Sequence, residues 1–526
     1  MSDLAKKMHE LETYVGFPAQ QYANNLKQQL TPVNVYTYPA PMDKTPAAVA
    51  KYNEELAKIT PSWLDFHFNT EKGKDNEKYT VHRIVKFNTV VYAKTFLDKT
   101  PIAVFPALMN GAIYQSDLGT WRTLGKGEFR LIVESYTHHE IEKWGLYSPK
   151  DVSAVRRYIE LETFNDKFRN NSPFDQNKRP ELVAFANGTY NILTGKMEKS
   201  KAENYMLNTH DYSVDPKENE CPETEKWLNA MMGDAYITLE QFVGYMLYRS
   251  HVPFQEFLWL YGDGGEGKST VIRRITNVIQ EENISHVKPE ILADSNRRFE
   301  ISNLYGKEAN IMADVGKAKL KDTDIIKSVT GGDGLEAEFK GLQHFTFTNY
   351  AKLLFSSNTM PTFTDHSRGF ADRVMVIKLI NGDARDDPSF WDDFDFKAID
   401  DERSQFAMKC MQEFAKALTA RRFTKPDSVI QASREWIQAN DHLAEFVNEY
   451  YKVTPNGDRG ESAKTFFDEF KSYCISNGYD DKPTQPKLKL QLEKMGVTRK
   501  KCHMGFGDDH NNMSRYLGLK QVESFD

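Results

Sequence analysis

One stretch of this chain admits very few folds. Residues 262–269 read GDGGEGKS, preceded directly by the apolar run FLWLY and followed by TVIRRITNVIQ. A buried strand, a loop with four glycines and an amphipathic helix, in that order, match the phosphate-loop pattern at Gly262, Gly267, Lys268 and Ser269. Glycines let backbone N–H groups turn inward on an anion, and the helix N-terminus adds its dipole. The expected ligand is ATP with Mg²⁺, bound by Gly262, Asp263, Gly264, Gly265, Glu266, Gly267, Lys268, Ser269 and Thr270. Lys268 neutralises the β and γ phosphates, and the Ser269 hydroxyl is a ligand for the metal.

From about 255 to 380 apolar runs alternate with helical ones: ANIMADV, TDIIKSVTG, AKLLFSSN, DRVMVIKL. That order predicts an α/β region with a central, mostly parallel sheet. ANIMADV ends in Asp314, the acidic residue expected to hold Mg²⁺ through water. Its neighbours Ala313 and Val315 carry no carboxylate, so the base that activates the attacking water stays open. AKLLFSSN ends in Asn358, whose amide can hold that water without carrying charge. Arg373 opens VMVIKL and is the first candidate for an arginine finger, with Arg368 the second.

A chain of 526 residues exceeds one hydrophobic core and predicts several domains. No apolar run reaches membrane-span length, and MSDLAKKMHELETYV lacks a signal-peptide core, so a cytoplasmic location is expected. Cys221, Cys410, Cys474 and Cys502 lie far apart, which argues against a disulfide framework or zinc ribbon. A net charge of -7 does not announce a nucleic-acid binder, although basic residues can concentrate locally. IYQSDLGTWRTL and VAFANGTYNILTGKM read as hairpins, with turns at Asp117–Gly119, Asn187-Gly188 and Thr194-Gly195.

Residues 430–526 read as helix, helix, helix, hairpin, after a linker at TKPDS. QPKLKLQLEKMGV is a short basic helix followed by the strands VTRKKCHMG and SRYLGLK. This pattern predicts a winged helix, with Lys487, Lys489, Arg499, Lys500 and Lys501 on duplex phosphates. Cys502, His503 and His510 lack a partner at ligand spacing, so no metal site is expected there.

The phosphate loop, ANIMADVG, KSVTGGDGLEAEFKGLQHFTFTNYAKLLFSSNTMP and DHSRGFADRVMVI together resemble superfamily 3 helicases. Within that superfamily they resemble the poxvirus-type primase-helicases and their relatives on phages, phage satellites and plasmids. The resemblance implies a multidomain α/β chain with an AAA+-like ATPase core, an upstream α+β domain and a C-terminal winged helix. The expected layout is an accessory region at 1–95, a helicase-associated domain at 96–235, the ATPase at 236–424 and the winged helix at 425–526. It further implies a homohexamer around DNA with ATP sites between neighbours, Arg373 serving as the finger. The hairpin LEAEF–HFTFTN would carry Lys340 and His344 into the channel, with Lys317 and Lys319 adding to that surface. The function implied is a DNA helicase, the replication initiator or replicative helicase of a mobile element, with host or element replication proteins as further expected partners. The first 100 residues lack the clustered aspartates of a primase domain. Rival readings are another DNA motor (packaging or partition) and an ATP-switched DNA-binding regulator.

Overall fold

The computed structural model of the chain describes residues 40–522, apart from 75–77, 106–110, 126, 147, 165–171, 175–177, 295–297, 317, 321–322, 339–343, 364, 366, 383–386, 459, 478, 480–482 and 503–512. It divides into two compact units, Met1–Ser116 with Trp121–Pro173, and Asp117–Thr120 with Phe174–Asp526. No described helix is long and apolar enough to cross a membrane.

In the first unit, helix Pro46–Ile59 packs on a long antiparallel pair, Leu64–Lys72 with Tyr79–Phe87, and three more helices follow at Thr89–Lys99, Glu128–Glu142 and Pro149–Thr163. Trp63, Phe66, Phe68, Tyr92, Phe96, Val133 and Ile159 form its core. Helix starts are set by side chains that accept orphan N–H groups: Thr45 from Ala48, Asn88 from Val91, Ser148 from Asp151.

The second unit begins with an antiparallel meander, Leu182–Phe185, Gly188–Asn191 and Lys196–Glu198, with its turns at the expected Asn-Gly and Thr-Gly positions. Helices α1 (Pro222–Met232) and α2 (Tyr236–Met246) lead into a five-stranded parallel sheet. Its strands are β1 (Phe257–Tyr261), β2 (Ile284–Ser285), β3 (Ala309–Met312), β4 (Lys352–Ser357) and β5 (Val374–Lys378), in spatial order β2-β3-β4-β1-β5. Phe257, Leu258, Trp259 and Leu260 are all completely buried, which is why β1 reads as an unbroken apolar run rather than an alternating one. Helix α3 (Lys268–Ile279) follows β1, α4 (Asp324–Gly331) follows β3, and α5 (Arg403–Ala420) packs on α2.

Two expected boundaries move. Phe185, Tyr190, Trp227, Met231 and Phe242 share one core with Leu258, Ile275, Leu354, Ile377, Phe406 and Phe414. Residues 174–235 therefore group with the sheet, not with the segment from 96 to 173. Helix α6 (Asp427–Ala439), assigned from sequence to the last domain, lies on β5. The Val376 N–H donates to Ser433 Oγ (2.9 Å), Trp436 Nε1 to Pro361 O (2.8 Å) and the Phe363 N–H to Asn440 Oδ1 (3.0 Å), and the Trp436 ring lies 5.3 Å from Trp259.

The tail has its own core of Leu443, Phe446, Phe466, Phe470, Leu488 and Leu492 from α7 (His442–Tyr450), α8 (Ala463–Ser476) and α9 (Gln485–Lys494), with Tyr516 from the strand Met513–Leu517. It holds more strand than helix, helix, helix, hairpin allows. Gly460–Ser462 pairs with Met513–Leu517, which pairs with Thr498–Cys502, giving a three-stranded antiparallel sheet.

Candidate nucleotide site

Strand register brings the separate motifs to one edge. β1 runs parallel to β4 with Tyr261 level with Ser357, and β4 runs parallel to β3 with Phe355 level with Met312. Counting two residues on from Met312 and Phe355 sets Asp314 level with Ser357. Gly262, Asp314 and Asn358 thus all leave the sheet at its C-terminal edge, where open α/β sheets bind ligands. The Val315 N–H donates to Ser356 O (2.7 Å) and fixes the turn that carries Asp314, whose φ of 54° lies in the left-handed region.

The loop needs its glycines for two reasons. Gly264, Gly265 and Gly267 have φ of 109°, 82° and 85°, conformations that L side chains resist. At Gly267 a Cβ would also stand 2.6 Å from both Met231 Cε and Trp391 Cη2. At Gly264 a Cβ would meet Asn358 Nδ2 at 3.6 Å, so the asparagine amide lies directly against the loop.

Lys268 opens α3, folded back so that Nζ donates to Gly262 O at 2.7 Å and lies 3.8 Å from Glu266 Oε2. Burial holds its ammonium below the usual lysine range, opposed by the carboxylates of Glu266, Asp263 and Asp314. Glu266 is buried, and its Oε2 has no hydrogen-bond partner among the described residues. Asp263, Ser269 and Asp314 are exposed and Thr270 is half-exposed. On the flank of α3, from Thr270 to Gln280, lies a cavity of about 760 Å³ whose walls include Trp227, Arg274 and Phe396.

Arg373 stands elsewhere. β5 is parallel to β1 with Val374 level with Phe257, so Arg373 is level with Glu256, six residues before Gly262. Six strand residues span about 20 Å, which an arginine side chain does not cover. Its Nε donates to Thr330 Oγ1 (3.1 Å) and its Nη1 to Gly369 O. Arg368 is 92% exposed, with Nε 3.3 Å from Asp372.

The hairpin ahead of β4 is present as Gly334–Glu338 paired with His344–Thr348, rooted by buried Leu335, Ala337 and Phe347. Lys340 and Lys317 lie outside the described residues, as does the His344 side chain; the His344 backbone pairs with Glu338. Lys319 is half-exposed on a two-residue strand beside Thr362. In the tail, Lys487, Lys489, Lys500 and Lys501 are exposed, and Lys489 is 3.6 Å from Glu493. Arg499 differs: Nη2 donates to Gln485 Oε1 at 3.4 Å and the guanidinium lies 5.9 Å from the Tyr516 ring centre. Those contacts tie it to the fold. His503, His510 and the side chain of Cys502 lie outside the described residues.

Sequence reasoning passed over Asn381, Trp391 and Glu240. Asn381 and Trp391 follow β5 in a stretch without periodicity, and Glu240 sits at a helix position that reads as ordinary surface.

Comparison with known proteins divides this region between two families. Residues 108–233 match the family described as D5 N terminal like, and residues 260–373 match a family of unknown function, DUF5906. The match to the first of these thus lies ahead of residues 262–269 in the chain. Among solved structures it is similar to the A form apo structure of the NrS-1 C terminal region, at 14% identity and a TM-score of 0.42, covering 78% of this chain and 87% of that one. It is also similar to the apo structure of NrS-1 C terminal region (305-718), at 13% identity and a TM-score of 0.42, covering 83% and 100%.

Proposed function

We propose that this chain is an ATP-hydrolysing DNA helicase of the superfamily 3, phage-type primase-helicase kind, working as a homohexamer in the replication of a mobile element. The observation that carries the reading is the split between sheet edges. Lys268, Asp314 and Asn358 gather at one edge while Arg373 stands about 20 Å away at the other. A finger in that position cannot serve its own phosphates and can serve those of a neighbour in a ring. The D5-type segment ahead of the loop fits the same reading.

In this reading the loop N–H groups and Lys268 bind the β and γ phosphates, and Lys268 exchanges Gly262 O for phosphate oxygen. Ser269 and Asp314 offer exposed oxygen donors on one edge, the donor type Mg²⁺ takes, and these two would hold it. The ion, when bound, neutralises charge on the phosphates. Asn358, against Gly264, orients the attacking water. The partner copy's finger stabilises charge on the transferring phosphoryl group. The tail, with three helices and a three-stranded sheet that ends in a hairpin, has the makings of a winged helix. Its α9 and following strand present Lys487, Lys489, Lys500 and Lys501 to duplex phosphates.

The test is Lys268→Ala, assayed for ATP hydrolysis and strand displacement. Both activities should disappear while circular dichroism and melting stay near wild type. Hydrolysis at the wild-type rate would refute the assignment. Strand displacement by the wild-type protein separates a helicase from a packaging or partition motor, and turnover raised by single-stranded DNA separates a motor from a switch.

A further inference from the structure

The wall beside Gly267 carries groups that phosphate chemistry does not use. Asn381, three residues past β5, is 7% exposed; its Nδ2 donates to Met231 Sδ at 3.1 Å, and its Oδ1 has no hydrogen-bond partner among the described residues. Chemistry fixes this orientation of the amide. A thioether sulfur accepts weakly and never donates, so the NH₂ faces Met231 and the carbonyl oxygen is left over. A buried acceptor without a donor is costly unless a ligand completes it.

Met231 joins this orphan to the phosphate loop. Its sulfur takes the Asn381 N–H, and its methyl group lies 2.6 Å from where a Cβ of Gly267 would stand. Trp391 Cη2 lies at the same distance from that point, and the indole is only half-buried. The Ile380 N–H donates to Met231 O (3.0 Å), while its side chain is 63% exposed, unusual for a large apolar group. An indole, an exposed aliphatic side chain and one buried acceptor beside a phosphate loop are the parts of a pocket for a flat, amino-bearing base.

We propose that Asn381 Oδ1 accepts from the 6-amino group of adenine, with Trp391 and Ile380 against the base, so that this amide selects ATP over GTP. The inference rests on the phosphate loop being a nucleotide site. Guanine presents a carbonyl at position 6, which would set two acceptors face to face. A purine without a 6-substituent would leave Oδ1 unpaired. Sites that hydrogen-bond a substrate group discriminate against analogues that lack it.

The experiment displaces a fluorescent ADP analogue from the full chain with ATP, GTP and purine riboside triphosphate. Wild-type protein should bind ATP about threefold to tenfold tighter than purine riboside triphosphate, the worth of one neutral hydrogen bond, and GTP more weakly still. Asn381→Leu should bring the three within about twofold of one another, and Trp391→Ala should weaken all three together. Equal binding of the three by wild type, with binding lost in Lys268→Ala, would overturn the base pocket and leave the nucleotide site standing. Discrimination that survives in Asn381→Leu would overturn it too. Binding by Lys268→Ala equal to wild type would remove both.

Discussion

Arg373→Ala isolates the claim that catalysis is shared between copies. Among the described residues the guanidinium hydrogen-bonds the Thr330 hydroxyl and the Gly369 carbonyl, and for a part-exposed charged group its loss costs about 1.5–3 kcal/mol per bond at most. Folding and nucleotide binding should therefore persist. Turnover should fall by about a thousandfold or more, the usual worth of a finger, or roughly 4 kcal/mol of transition-state stabilisation. The informative assay mixes this variant with Lys268→Ala. If a site takes its lysine from one copy and its arginine from the next, a site is complete with probability x(1 − x), where x is the fraction of Lys268→Ala. The product peaks at one to one, where about a quarter of sites recover. The activity curve should be zero at both ends with a single maximum between. A flat line at every ratio, with mixed assemblies verified by tagged pull-down, would refute the trans geometry. So would a wild-type rate for Arg373→Ala alone.

Other consequences can be checked separately. Gly267→Ala should lose nucleotide binding, since a Cβ there meets Met231 and Trp391 at 2.6 Å at a φ of 85°; unchanged affinity would show that the wall yields. Burial, reinforced by Glu225, pushes the Glu240 carboxyl up to about 8. The folded chain thus holds a proton that the unfolded chain releases from its ordinary value of 4.5 upward, so stability present below that value is lost as pH rises through about 8. The slope is at most about 1.4 kcal/mol per pH unit. Glu240→Gln should flatten it and raise the urea midpoint most at alkaline pH; parallel profiles for the two proteins would contradict this. Replacing Lys487, Lys489, Lys500 and Lys501 by Gln should reduce the salt dependence of duplex binding by up to about 3.6 in log–log slope, near 0.9 per phosphate contact. An unchanged slope would make those charges a solvated face.

That residues 262–269, Asp314 and Asn358 come to one end of the sheet was legible because each follows or ends an apolar run, and parallel pairing then fixes where such ends meet. The loop's glycines announced backbone that no other residue adopts. What could not be read was which surfaces the amphipathic segments cover. In DSVIQASREWIQA, Val429, Ser433, Trp436 and Ile437 form one stripe, yet periodicity gives a face without giving its partner, and the partner proved to be β5. The same ambiguity hid the shared core of residues 174–235, where Trp227 and Met231 look like ordinary helix interior. Charge in sequence likewise did not reveal that Arg499 has Gln485 and Tyr516 as neighbours. Asn381 gave no signal, since an orphan acceptor exists only once its surroundings are folded.

The helix across β5 also bears on solubility. β5 is the outer strand of the central sheet, and an outer strand offers unpaired N–H and C=O groups to any extended chain that drifts near. Ser433 occupies one of those groups, and Trp436 seals the apolar layer beneath. A truncation placed at the sequence-derived linker, near 425, would strip this cover and leave a sticky margin that invites foreign strands. Ending the chain just after Asn440 keeps the cover while removing the tail. Aggregation of the shorter fragment would thus reflect an uncapped sheet, not a failure of the parallel-sheet core to fold.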